Sequence, residues 1–152
     1  MNIVRLEANE ENARMVGIFL AETFGKEHRM GVRAISGYSL ERAWDHIWRQ
    51  FNAGAIWVAM DDDGIAGSIA VSRYSPWFSV DTHLADGWYY VRPEKRGTFA
   101  AMMLLEAASQ FAAEMALPLV IEVFNTTDRP VGRFLSRFGF MQAGGTYVKE
   151  PA

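Results

Sequence analysis

Gly87-Trp88-Tyr89-Tyr90-Val91-Arg92-Pro93-Glu94-Lys95-Arg96-Gly97-Thr98-Phe99-Ala100-Ala101, with the almost wholly apolar run that continues to Met115, is the stretch whose reading decides the fold. Its aromatic start reads as a strand over 87–91. Pro93 cannot donate to a ladder, so the strand stops there, and Gly97 permits a backbone conformation or a close approach that a side chain would block. From Phe99 to Met115 the polar residues Glu106, Ser109, Gln110 and Glu114 line up with Thr98 on one narrow stripe, which predicts a helix buried around most of its circumference. A strand that feeds a helix through a short basic turn aims the helix's first unpaired N–H groups beyond the strand end, a ready anion site.

The rest of the chain gives this unit its surroundings. At 152 residues and 50% hydrophobic, the sequence reads as a single domain over 1–152 with enough length for a proper core. Fifteen basic against 18 acidic residues leave a net charge of -3, which argues against a nucleic-acid partner held by general phosphate attraction. The absence of cysteine removes disulfides, a thiolate nucleophile and Cys-based zinc sites. No apolar run approaches membrane-spanning length and the first residues lack a signal-peptide core, so no membrane association and a cytoplasmic location are expected.

Upstream, alternation over Ile3–Glu7 predicts an opening strand, and Asn9 an N-cap for a helix to about Phe24, ended by Gly25. Residues 25–38 read as a loop. Ser39 caps a second helix whose apolar line is Leu40, Ala43, Trp44, Ile47, Trp48 and Phe51, with Glu41, Arg42, Asp45, His46, Arg49 and Gln50 opposite; the Trp44 and Trp48 pair reads as core. Strands over Ala55–Met60 and Ile65–Tyr74 flank Asp61-Asp62-Asp63-Gly64, a hairpin turn rather than a calcium loop, since no spaced oxygen ligands follow. A loop over 75–86 with Trp77 and Phe78 precedes the central strand.

Downstream, Leu117–Phe124 reads as a strand, and a strand, a long helix and a strand in sequence form a parallel pair with right-handed connection. Asp128 caps a short helix with Pro130 in its first turn and Val131, Phe134, Leu135 and Phe138 on one face, stopped by Gly139. Phe140–Ala143 and Tyr147–Glu150 flank Gly144-Gly145 as a closing hairpin. The expected class is therefore α/β (α+β), a mixed, mostly antiparallel sheet with one central parallel pair and flanking helices.

The run Val91 to Leu105 resembles the acetyl-CoA loop of the GNAT-type N-acetyltransferases, Val-x-Pro-x-x-Arg-Gly-x-Gly-x-Gly/Ala before a Leu-rich helix. Arg96, Gly97 and Ala101 match, while Phe99 stands where the second glycine is usual, tolerable only if its side chain turns away from the phosphates. The element order is that of the family over essentially the whole chain, and Asn125 through Gly139-Phe140 is similar to its Asn-to-Gly-Phe segment. The resemblance implies acetyl transfer from acetyl-CoA to a primary amine by direct attack. It implies pantetheine along the backbone of Tyr90 and Val91, pyrophosphate at Arg96, Gly97, Thr98, Phe99, Ala100 and Ala101, and a pantetheine contact from Asn125. The tyrosine that many relatives carry four residues before Gly-Phe is Leu135 here, with Tyr147 a conceivable substitute.

Amine acetylation needs a base and an N–H donor for the developing oxyanion. Glu122, a lone carboxylate in an apolar strand, is the first candidate, on the expectation that desolvation raises its pKa; the alternative is a strand-end Glu reaching solvent. Asp86 is the second, its alternative an ordinary turn residue before Gly87. His28, His46 and His83 lack metal-ligand spacing, with His46 on a solvated face, and no metal is expected. Arg129, Arg133 and Arg137 form a basic stripe that reads as a solvated face or as a phosphate contact. A Rossmann site is disfavoured because the glycine turn does not follow the first strand. Phe99 and Leu135 favour the rival reading, a weak or inactive CoA-binding or protein-interaction module; another acyl-CoA is a second rival. The acceptor, a small-molecule or peptide amine, and the oligomeric state, a homodimer included, stay open.

Overall fold

The computed structural model describes residues 1–23, 26, 38–122, 129–145 and 149, leaving aside the side chains of 129 and 130. In chain order the elements are β1 (Asn2–Arg5), α1 (Glu10–Glu22), α2 (Leu40–Ala53), β2 (Gly54–Asp61), β3 (Gly64–Tyr74), β4 (His83–Val91), a 3₁₀ turn (Pro93–Lys95), α3 (Ala100–Glu114), β5 (Leu119–Val120) and α4 (Arg129–Arg137). The five strands form one sheet in sequential order, antiparallel throughout except for the parallel pair of β4 and β5. This is the mixed sheet that the sequence predicts.

Local chemistry sets the boundaries. Asn9 caps α1 by accepting the Asn12 N–H at 2.8 Å, and Ser39 caps α2 by accepting that of Arg42 at 3.3 Å. The β2–β3 turn is held by the Asp63 N–H on Asp61 Oδ1 at 2.9 Å, with Gly64 at a φ of 107°. After Arg137, the Gly139 N–H reaches Ser136 O and the Phe140 N–H reaches Leu135 O, which ends α4. The proposed helix stop Gly25 and N-cap Asp128, the loop over 27–37 and the second strand of the closing hairpin lie outside the described residues. The first strand of that hairpin does not form, because residues 140–145 carry no strand.

The sheet is covered on both faces. Against α3 pack Ala55, Trp57 and Ala59 of β2, Leu84 and Val91 of β4, and Leu104, Ala108 and Ala112 of the helix. Against α1 and α2 pack Val16, Phe19, Leu20, Ile47, Ile56, Val58, Ala70 and Trp88. Each large side chain so buried contributes about 1.5–3 kcal/mol. Strict alternation would send Leu84 and Trp88 to the same face, yet they lie on opposite ones. The reason is a bulge: Asp86 pairs with Val71 and Trp88 with Ala70, so Gly87 has no partner and shifts the phase of β4 by one residue. β4 accordingly starts at His83, four residues before the strand read from sequence, and Asp86 lies within it and not in a preceding turn.

The face of α2 also differs from expectation. Gln50 is buried at 2% exposure and His46 is half-buried, whereas Leu40 and Trp44 are exposed at 69% and 37%. Trp44 meets the half-buried Trp48 edge-on at the helix margin; Trp48 packs against the core, whereas Trp44 is exposed and is not part of it. The helix is rotated toward the bulge because the carbonyl of Gly87 offers a buried polar partner, accepting from His46 Nε2 at 3.2 Å. A Cβ on Gly87 would stand 2.5 Å from Gln50 Cδ, so glycine is required by close approach.

Candidate active site

β3 accompanies β4 from His83 to Val91, but β5 pairs with it only at Leu84 with Leu119 and Ala85 with Val120. Just beyond, the side chain of Asp86 replaces the ladder: its Oδ1 accepts the backbone N–H of Glu122 at 2.9 Å. Ala85 with Val120 is the last pair of this parallel ladder. A carboxylate thus stands at the end of the parallel ladder.

Burial raises the Asp86 carboxyl from its ordinary 3.8 to about 6, reinforced by the charge of Glu122 and opposed by the hydrogen bond from the Glu122 N–H. The residue is half-buried overall, with its carboxyl group on the enclosed side. Glu122 itself is exposed. The desolvation expected of Glu122 is thus found at Asp86, because β5 ends at Val120 and leaves residue 122 beyond the covered sheet. The structure brings the two carboxylate residues together, one through its side chain and the other through its backbone.

At the far end of β4 the chain turns into α3. Arg96 folds back, its Nε donating to Val91 O at 3.2 Å and its guanidinium lying 5.4 Å from the centre of the Tyr90 ring. Gly97 adopts a φ of 85°, which L side chains rarely take. The Thr98 N–H bonds Lys95 O, and Thr98 Oγ1 accepts from Ala100 N at 3.4 Å. The N–H groups of Gly97, Phe99, Ala101 and Met102 donate to no acceptor among the described residues. Met102 is an addition to the residues read from sequence; the helix start at Ala100 is the signal that would have found it. The side chain of Phe99 is 69% exposed. Tyr89 fixes the helix to the strand through its hydroxyl on Ala101 O, and burial raises its pKa.

Asn125, Tyr147 and His28 lie outside the described residues. Leu135 is half-buried, and Arg133 and Arg137 are exposed on α4. His83 packs edge-on against Tyr74 at 5.4 Å, and burial lowers the pKa of His46, which is bound to the bulge and not solvated. Two shallow depressions, along Glu10–Ile18 of α1 and beside Arg5–Ala8, include no residue of β4, β5 or the 92–99 turn. Among the described residues no helix is long and apolar enough to cross a membrane.

A mixed sheet with one parallel pair, a carboxylate at the end of that ladder and a glycine-containing turn leading into a buried helix define the class of fold. The acetyltransferase (GNAT) domain family matches residues 52–142, more than half of the chain, and the protein belongs to that family. No curated protein matches the sequence. Among solved structures, AAC(6')-Iy in complex with the bisubstrate analog CoA-S-monomethyl-acetylneamine superposes with a TM-score of 0.70 at 11% identity, over 100% of this chain and 99% of that one. Aminoglycoside antibiotic 6'-N-acetyltransferase AAC(6')-IG from Acinetobacter haemolyticus gives 0.66 at 16% identity, over 100% and 99%. Ribosomal-protein-alanine N-acetyltransferase from Brucella melitensis gives 0.65 at 14%, over 99% of both chains. At these identities the likeness is one of fold.

Proposed function

We propose that this protein transfers an acetyl group from acetyl-CoA to a primary amine of a small molecule or peptide by direct attack, with Asp86 as the base. The observation that carries the reading is the Asp86 carboxyl, half-enclosed at the parting of β4 and β5 with a pKa of about 6. At neutral pH such a group is mostly ionised yet basic enough to take a proton from an ammonium, directly or through one water. Glu122, exposed, is the weaker candidate for this role and acts through its N–H on Asp86.

In this reading the pantetheine arm runs along the backbone of Tyr90 and Val91, with Asn125 as a further contact. The pyrophosphate takes the N–H groups of Gly97, Phe99, Ala101 and Met102 at the positive end of α3, with Arg96 and Thr98 beside them. Phe99 is compatible with this site because its ring is directed to solvent and only its backbone is used. The free amine attacks the thioester carbonyl, a backbone N–H of β4 stabilises the developing oxyanion, and the CoA thiolate leaves, taking its proton from water. Relatives in fold that act on aminoglycosides and on a ribosomal protein support an amine acceptor.

Isothermal titration with acetyl-CoA, for the wild type and for Arg96→Glu, tests the cofactor site, and an acceptor screen with Asp86→Asn tests the chemistry. Micromolar binding that the Arg96 variant loses, and turnover that the Asp86 variant loses, are the expected results. A folded protein that binds no acetyl-CoA sinks the transferase reading in favour of an interaction module.

A further inference from the structure

The basic turn after β4 carries three cations, Arg92, Lys95 and Arg96, of which the resemblance assigns only Arg96 to the pyrophosphate. Lys95 and Arg92 are held by partners on the β2–β3 hairpin. Lys95 Nζ lies 2.8 Å from Asp61 Oδ2 and 2.6 Å from Asp63 Oδ2, with its side chain only 20% exposed. The hydrogen bond to Asp61 leads the effects that raise the Lys95 pKa, and the bond from Lys95 leads those that lower that of Asp61. Arg92 donates from Nε to Ile65 O at 2.7 Å and from its backbone N–H to Ala66 O at 2.9 Å. Ala66 is the unpaired residue of a second bulge, between the Ala59–Gly67 and Met60–Ile65 pairs, so its carbonyl is available to the turn.

We propose that Lys95 is a positioning residue: clamped by Asp61 and Asp63, it seats the phosphate-binding turn on the tip of the β2–β3 hairpin and does not itself contact the phosphates. The proposal rests on the acyl-CoA reading given above. The turn is short, and its open N–H donors converge only if the 3₁₀ segment is held; two charge-assisted bonds to one ammonium are the strongest link between it and the sheet. Lys95 also neutralises two carboxylates that would otherwise stand near the incoming pyrophosphate. The acidic hairpin tip, read from sequence as turn chemistry alone, thus has a second task.

Amide exchange in the free protein tests the clamp. In Lys95→Met the N–H groups of Arg96 and Thr98, bonded to Pro93 O and Lys95 O, should exchange about tenfold faster while those in the middle of α3 do not change. Acetyl-CoA affinity should fall about tenfold with kcat nearly preserved. The discriminating variant is the charge swap. Lys95→Glu with Asp61→Lys restores one ammonium between two carboxylates, and should recover both exchange protection and affinity relative to Lys95→Glu alone. No recovery of affinity, or unchanged exchange in Lys95→Met, overturns the clamp. A wild-type protein with a protected turn that binds no acetyl-CoA instead overturns the reading of the site on which the clamp's role depends.

Discussion

Asp86 Oδ1 accepts the Glu122 N–H at 2.9 Å immediately past Ala85 and Val120, the last pair of the parallel ladder. A side-chain acceptor there occupies the place of a main-chain carbonyl, so β4 and β5 stop pairing without leaving the Glu122 donor unsatisfied. The same contact anchors the carboxylate at the end of the ladder.

Asp86→Asn separates chemistry from architecture, because the amide oxygen still accepts the Glu122 N–H. Turnover should fall by about 10²- to 10⁴-fold. In the wild type kcat/KM should rise with pH through a midpoint near 6, and this limb should be missing in the variant. Stability should move the other way. The folded-state pKa of Asp86 is raised, so its stabilising contribution is full below the unfolded value and is lost as pH rises through about 6. The span from 3.8 to about 6 corresponds to at most on the order of 3 kcal/mol, so urea unfolding at pH 7 should show the variant to be the more stable protein.

Glu122→Gln should change the rate at pH 7.5 by less than about threefold, far below the loss of a general base. Its charge helps to raise the Asp86 pKa, so removing it should shift the acid limb of the pH profile to lower pH. A loss of two orders of magnitude instead would return the role of base to Glu122.

Gly87→Ala places a Cβ 2.5 Å from Cδ of the buried Gln50. Overpacking of this kind costs about 1–3 kcal/mol. In a Gln50→Ala background the penalty should shrink, and a double-mutant cycle by denaturant unfolding measures the coupling.

Ala116→Gly should stabilise the fold by about 0.5–1 kcal/mol, since Ala116 has a φ of 55°. It sits in the turn that ends α3, where the Leu117 N–H reaches Ala112 O at 3.0 Å. A lower midpoint of unfolding in the glycine variant would show that this left-handed conformation carries no strain.

The sequence by itself determined the elements and their order. The caps Asn9 and Ser39, the Asp-Gly hairpin, the apolar helix after Gly97 and the parallel crossover are all local patterns, because capping, turn conformation and amphipathic period act within a few residues. The resemblance in residues 91–105 likewise pointed to the family. What only the tertiary structure decided is which polar groups are buried and against what. Asp86-Gly87 has the composition of a turn, yet Val71 and Ala70 of β3 hold it in a bulged strand. Gln50 and His46 belong by spacing to a solvated face, yet that bulge draws them inward. Lys95 is one charge of a basic turn until Asp61 and Asp63, more than thirty residues earlier, are brought against it. Glu122 and Asp86 exchange their expected environments for the same reason. Desolvation and ion pairing depend on neighbours distant in sequence, and no periodicity records those.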